Sequence, residues 1–238
     1  MEKKLCRYKI RIFKGYVKTS YLEAAAYLNS CFLELCELDA IFKEMIYVGK
    51  KEDIRLFYPD SAMSDVNMGN VIYGEHKYWL NRMRPNSFHD IYYKDHYGIP
   101  LIIHTVGLPL ENIKFTLDLG PESNAVFVEF PRDFERDFEW YKKILSVMIN
   151  VFKPDYGGLY PVVMVKHEPP PVTGGWVSYF ASKFKLGCNV FDGCVEIPVL
   201  DNEFMYAVED NHMIQKNEVQ FNKLGVLIER FKKLSIQL

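Results

Sequence analysis

The stretch "IKFTLDLGPESNAVFVEF", residues 113–130, sets the fold class. Ile113, Phe115, Leu117 and Leu119 alternate with Lys114, Thr116 and Asp118. Successive side chains of a strand point to opposite faces, so this is the pattern of a strand buried on one side. "AVFVEF" (125–130) reads as a second strand, which Pro131 stops because it lacks the N–H a ladder needs.

Working outward, further strands are predicted near 88–96 and 100–106. At the start of the chain, Cys6, Tyr8, Ile10 and Ile12 alternate with Arg7, Lys9 and Arg11. Beyond the central pair, "LYPVVMVK" (159–166) is a strand, and "CVEIPV" with "FMYAVE" forms a hairpin around Asp201-Asn202.

Helices separate these groups. Ser20 and Glu23 make a capping box, and Leu28, Phe32, Leu35, Phe42 and Met45 keep near-helical spacing up to Gly49. That predicts one long helix of about 25 residues. Asp133 is placed to cap a second helix, with Phe134, Phe138, Tyr141, Leu145, Met148 and Phe152 in one stripe; "KPDYGG" ends it. Leu224, Ile228 and Phe231 mark a last helix. Residues 53–87 hold no steady period and read as a long irregular segment with a short helix. Strands bunched between helices with short connections predict an α+β fold, a mainly antiparallel sheet covered by long amphipathic helices, in a single domain over residues 1–238.

Composition bounds the function. At 238 residues with 49% hydrophobic and 25% charged side chains, the chain is a globular protein far from the disordered class. Its net charge of −2 gives no global basic field for nucleic acid or an anionic membrane. No run reaches the roughly 18 apolar residues of a membrane span, and "MEKKLCRYKIRIF" lacks a signal peptide's apolar core. Cys6, Cys31, Cys36, Cys188 and Cys194 are odd in number and scattered, as expected of reduced thiols in a cytoplasm.

Catalytic motifs are scarce. There is no H-E-x-x-H, C-x-x-C, G-x-G-x-x-G, phosphate loop or G-x-S-x-G, so neither a cofactor nor a metal is expected. Cys188 and Cys194 lack a second ligand pair, and Cys31 and Cys36 point about 140° apart on a helix. "HDIYYKDH" (89–96) is the best catalytic candidate, yet in a strand His89 and His96 face opposite sides. Strand-end histidines with hydrogen-bonded or solvated rings account for it.

Two stretches suit recognition. In "DFERDFEWYKK" (133–143), Asp133, Glu135, Asp137 and Glu139 form an acidic face for a basic partner. They also suit a solvated helix start, where the helix dipole favours acids. In "PPPVTGGWVSYFASKF" (169–184), Gly174 and Gly175 let the Trp176 indole pack close beneath the backbone. Trp176 and Tyr179 are either core or binding anchors, since Trp and Tyr are enriched at interface hot spots. Tyr73, Tyr78 and Trp79 in the irregular segment are further anchor candidates.

With these residues in view, the chain resembles the immunity protein 52 family of bacterial polymorphic toxin systems. The resemblance rests on the Gly175-Trp176 step and the Pro154-Asp155-aromatic-Gly157 turn, with Gly174 beside the former. The order of strand, long helix, aromatic middle, helix and "GGWVSYFAS" adds to it. The resemblance implies an α+β fold and a cytoplasmic protein that binds and neutralises a cognate secreted antibacterial toxin, of nuclease-like kind. It implies no enzyme activity, nucleic acid, membrane or small-molecule ligand. Two other classes stay open: an enzyme with a dispersed site of His89, Asp95, His104 and His167, and a housekeeping interaction or scaffold protein.

Overall fold

A computed structural model describes residues 4–14, 21–48, 54–59, 68, 71, 99–106, 112–119, 124–131, 134–162, 174–181, 190–200 and 203–235. Along the chain run β1 (Tyr8–Lys14), α1 (Tyr21–Leu38), β2 (Met45–Val48), β3 (Ile54–Phe57), β4 (Ile99–Thr105), β5 (Lys114–Leu119) and β6 (Asn124–Glu129). Then come α2 (Phe138–Phe152), β7 (Tyr156–Pro161), β8 (Val177–Phe180), β9 (Val195–Leu200), β10 (Glu203–Ala207) and α3 (Glu218–Ser235). The protein is α+β, and its sheet structure is antiparallel in the registers seen. Two compact units share the chain: Phe13–Pro131, and Met1–Ile12 together with Arg132–Leu238.

In Phe13–Pro131 the strand order is β3-β2-β4-β5-β6. The opening stretch forms the last two strands of this order, β5 and β6, with Phe115 opposite Val128 and Leu117 opposite Val126. Ile113, Phe115 and Leu117 are buried, as the alternation requires. α1 covers this face: the Phe32 ring meets Phe115 edge-on at 5.3 Å, and Leu28, Cys31 and Leu35 are buried with it.

The first helix is shorter than its hydrophobic spacing predicts. It stops at Leu38, because Asp39 is extended (φ −153°) and its carboxylate accepts from the Ile41 N–H at 3.0 Å. That caps a single 3-10 turn, Ala40–Phe42, whose last carbonyl accepts from the Cys36 thiol at 3.0 Å. Phe42 and Met45 stay buried, but Met45 begins β2. Burial thus continued across a change of backbone, which periodicity alone does not see. β3 occupies the start of the segment read as irregular, and Met68 and Val71 are helical and buried. The strand expected near 88–96 lies outside the described residues.

In the other unit the order is β1-β7-β8-β10-β9. Val162 donates its N–H to Arg7 O at 2.8 Å, while Gly157 lies against Arg11 and Ile12, so β1 and β7 run antiparallel. α2 packs on β7 and β9, and α3 lays Phe231 on Phe180 of β8, ring centroids 4.9 Å apart. The β9–β10 hairpin forms where expected, with Pro198 opposite Phe204.

α2 begins at Phe138 rather than after Asp133. Its N-cap is Asp137, whose carboxylate accepts from the Trp140 N–H at 2.7 Å. Phe134 precedes the helix and packs its ring 5.2 Å from Trp140. At the far end Lys153 takes the left-handed conformation (φ 44°) and donates to Ile149 O at 2.9 Å. The helix therefore ends on Lys153-Pro154, and Gly157-Gly158, expected to help break it, are inside β7.

Candidate functional site

The Gly174-Gly175-Trp176 step lies within the second of these units, at the entry to β8. A Cβ on Gly175 would sit 2.7 Å from Leu159 O and 2.9 Å from Val177 O, and one on Gly174 would strike Phe231 of α3 at 2.8 Å. Only glycine lets these backbones approach so closely. The Gly175 N–H is held by the buried Ser178 hydroxyl at 2.9 Å. Trp176 is 0% exposed. Its N–H donates to Leu159 O at 2.8 Å, and its carbonyl accepts from Val208 N–H at 2.9 Å. Its indole Nε1–H donates to Asn211 O at 2.7 Å.

That last bond reaches the loop Val208–Met213, which follows β10, and the loop carries the polar part of the site. Gln220 of α3, itself buried, braces it from one side. The Gln220 carboxamide oxygen accepts from Ile214 N–H at 2.7 Å, and its nitrogen donates to Glu209 at 2.9 Å and to His212 O at 3.3 Å. Lys223 pairs with Glu209 at 2.6 Å. Hydrogen bonds from Lys223 and Gln220 hold the Glu209 carboxyl below its ordinary pKa.

On the other side the loop is fastened to the start of α2 at two points. Lys142, with 7% of its side chain exposed, places its ammonium between Glu139 and Asp210. Burial opposes that charge, but hydrogen bonds to Asp210 and Glu139 outweigh it and raise the pKa. The second fastening is His212. Its ring stacks on Tyr8 (5.8 Å) and meets Phe138 (5.5 Å) and Tyr141 (5.9 Å) edge-on. His212 Nε2 is 2.9 Å from Arg136 O, and since a carbonyl only accepts, Nε2 bears the proton. Burial lowers the His212 pKa despite Glu135 and Asp137 nearby.

Outside this bracing lies a surface of Glu135, Arg136, Asp137, Glu139, Asp210 and Asn211, all exposed. Lys142 is occupied beneath it, and the Arg136 guanidinium lies over the Phe134 and Trp140 rings at 4.7 and 5.7 Å. On this surface the four carboxylates of Glu135, Asp137, Glu139 and Asp210 outnumber the cations of Arg136 and Lys142.

Of the residues singled out in the sequence, Glu135, Asp137 and Glu139 stand on this surface. Trp176 and Tyr179 do not. Tyr179 is 1% exposed and donates its hydroxyl to the Glu203 carboxylate. Neither ring has surface to offer a partner, so the anchor role gives way to a supporting one. Pro154 follows the helix cap, Asp155 O accepts from Ala181 N–H at 2.9 Å, and a Cβ on Gly157 would lie 2.7 Å from Arg11 O. Tyr73, Tyr78, Trp79 and Asp133 lie outside the described residues, as do His89, Asp95, His96 and His167. His104 is on β4, where burial and Lys114 lower its pKa.

Sequence reasoning missed Lys142, Asp210, His212 and Gln220. Lys142 left a trace: four residues after Phe138, it falls on the apolar stripe of α2, where a cation needs partners. Asp210 and His212 sit in a short polar run between strand and helix and left none.

No protein-family model matches the chain, and no curated protein matches it. Among the described residues no helix is long and apolar enough to cross a membrane, and no three His, Cys, Asp or Glu side chains gather where they could hold a metal ion. Solved structures do match, among them the "Pseudomonas aeruginosa T6SS protein PA0821". The likeness has a TM-score of 0.55 at 10% identity and covers 95% of this chain and 76% of that one. At that identity the likeness is one of fold.

Proposed function

We propose that this chain is an immunity-type protein of the cytoplasm that binds and neutralises a cognate secreted antibacterial toxin, a nuclease-like effector. The observation that carries the reading is the likeness in fold to a T6SS protein over 95% of the chain. The immunity protein 52 resemblance of the Gly175-Trp176 and Pro154–Gly157 steps supports it further. In this reading the acidic surface at the start of α2 steers a basic toxin into contact, speeding association more than it deepens affinity. The segment holding Tyr73, Tyr78 and Trp79 contributes contact area.

The test is to express the neighbouring gene's product in a susceptible bacterium with and without this chain. The expected result is growth arrest alone and protection in the pair, with protection requiring about equimolar protein, as for any inhibitor that works by occupancy. Failure to protect would overturn the reading. Protection by a small fraction of an equivalent would replace the binder with an enzyme.

A further inference from the structure

The His212 cage holds a proton-sensitive joint. The ring is enclosed by Tyr8 of β1 and by Phe138 and Tyr141 of α2. Its Nε2–H is given to Arg136 O, and its Nδ1 is buried without a hydrogen-bond partner among the described residues. A neutral ring leaves there only an unsatisfied lone pair. An imidazolium would leave an N–H and a full charge against aromatic carbon, at far greater desolvation cost.

We propose that His212 is a pH-operated latch: neutral, it pins the Val208–Met213 loop to the residues leading into α2, and on taking a proton at Nδ1 it leaves the cage and releases them. This goes beyond the binding reading and does not depend on it. Asp137 and Glu135 before α2 favour the cation, while Glu209 and Asp210 on the loop itself are paired with Lys223 and Lys142. Arg136 supplies a carbonyl that accepts from either form of the ring. Tyr8 and Tyr141 are held protonated by burial and contribute no charge. Tyr8 also accepts from Met213 N–H at 2.7 Å, so release of the loop breaks that bond as well. Burial dominates, and the neutral ring is the one that fits.

The sign follows from linkage. With the closed-state pKa below the ordinary His value, the latch is at full strength above that value and weakens as pH falls through it. If the closed ring refuses the proton, the opening constant grows about tenfold between pH 7.5 and pH 5.5.

Amide hydrogen exchange at Met213, corrected for the intrinsic pH dependence of exchange, reads this directly. Wild type should lose about tenfold protection over that range. His212→Gln keeps an N–H donor for Arg136 O but does not titrate, so its protection should stay flat. Equal losses in both proteins would overturn the latch. Should His212→Gln fail to fold, the ring's own NMR titration in wild type decides. A pKa at or above the ordinary His value overturns the proposal, and one below supports it.

Discussion

The indole N–H of Trp176 donates to the main-chain oxygen of Asn211 at 2.7 Å, tying the core of the sheet to the exposed tip of the Val208–Met213 loop. Trp176 is thus a strut rather than a contact. Trp176→Ala is expected to cost about 3–5 kcal/mol in chemical denaturation, as for other buried large-to-small changes. Trp176→Phe, which keeps a ring but loses the donor, should cost less. Its effect should concentrate in faster amide exchange over Val208–Met213. Uniform exchange changes across the unit would deny the strut.

Two glycines should respond in opposite ways to the same change. A Cβ on Gly158 would lie 2.2 Å from Val177 O, so Gly158→Ala must push β8 away, a loss of about 2 kcal/mol or more. Gly225, inside α3, meets nothing within 4 Å. Gly225→Ala should therefore stabilise by about 0.5–1 kcal/mol through helix propensity alone. Denaturant midpoints with unchanged slopes would check both.

Asp137 combines a cap with a surface charge, and the two are separable. Asp137→Ala should cost about 0.5–2 kcal/mol by leaving the Trp140 N–H without its carboxylate. Asp137→Asn should restore most of that stability while removing the charge. If Asn and Ala are equally destabilised, the charge near the helix start matters more than the cap.

Lys142 should be more tolerant than its position suggests. Lys142→Met keeps the side-chain volume and leaves Glu139 and Asp210 able to reach water, so the cost should stay within about 1 kcal/mol. Asp210→Ala leaves the buried ammonium one partner short and should cost more. The reverse order would show that the cation's charge, rather than its packing, holds the loop.

The elements with a steady period were legible in the chain. The alternation of Ile113–Leu117 and the stripe Phe138–Met148 both became what their spacing required. What stayed hidden followed from local side-chain bonds. Asp39 ends a helix whose hydrophobic spacing runs on, and Asp137 starts another four residues after the residue that looked like its cap. The site was half legible: Glu135 and Asp137 announce an acidic start. Yet His212 and Gln220 acquire meaning only when β1, α2 and α3 meet around them, through contacts spanning as many as 205 positions. No local pattern encodes such a meeting.

If the chain neutralises a toxin by occupying it, with association steered by the acidic surface, a single titration shows both. Purified chain is added stepwise to the neighbouring gene's product while that product's residual toxicity and the association rate are followed, for wild type and for Glu135→Lys. An endpoint at one equivalent is expected for both proteins, with slower and less salt-sensitive association for Glu135→Lys. Complete inactivation by a small fraction of an equivalent, or no inactivation at any ratio, would contradict it.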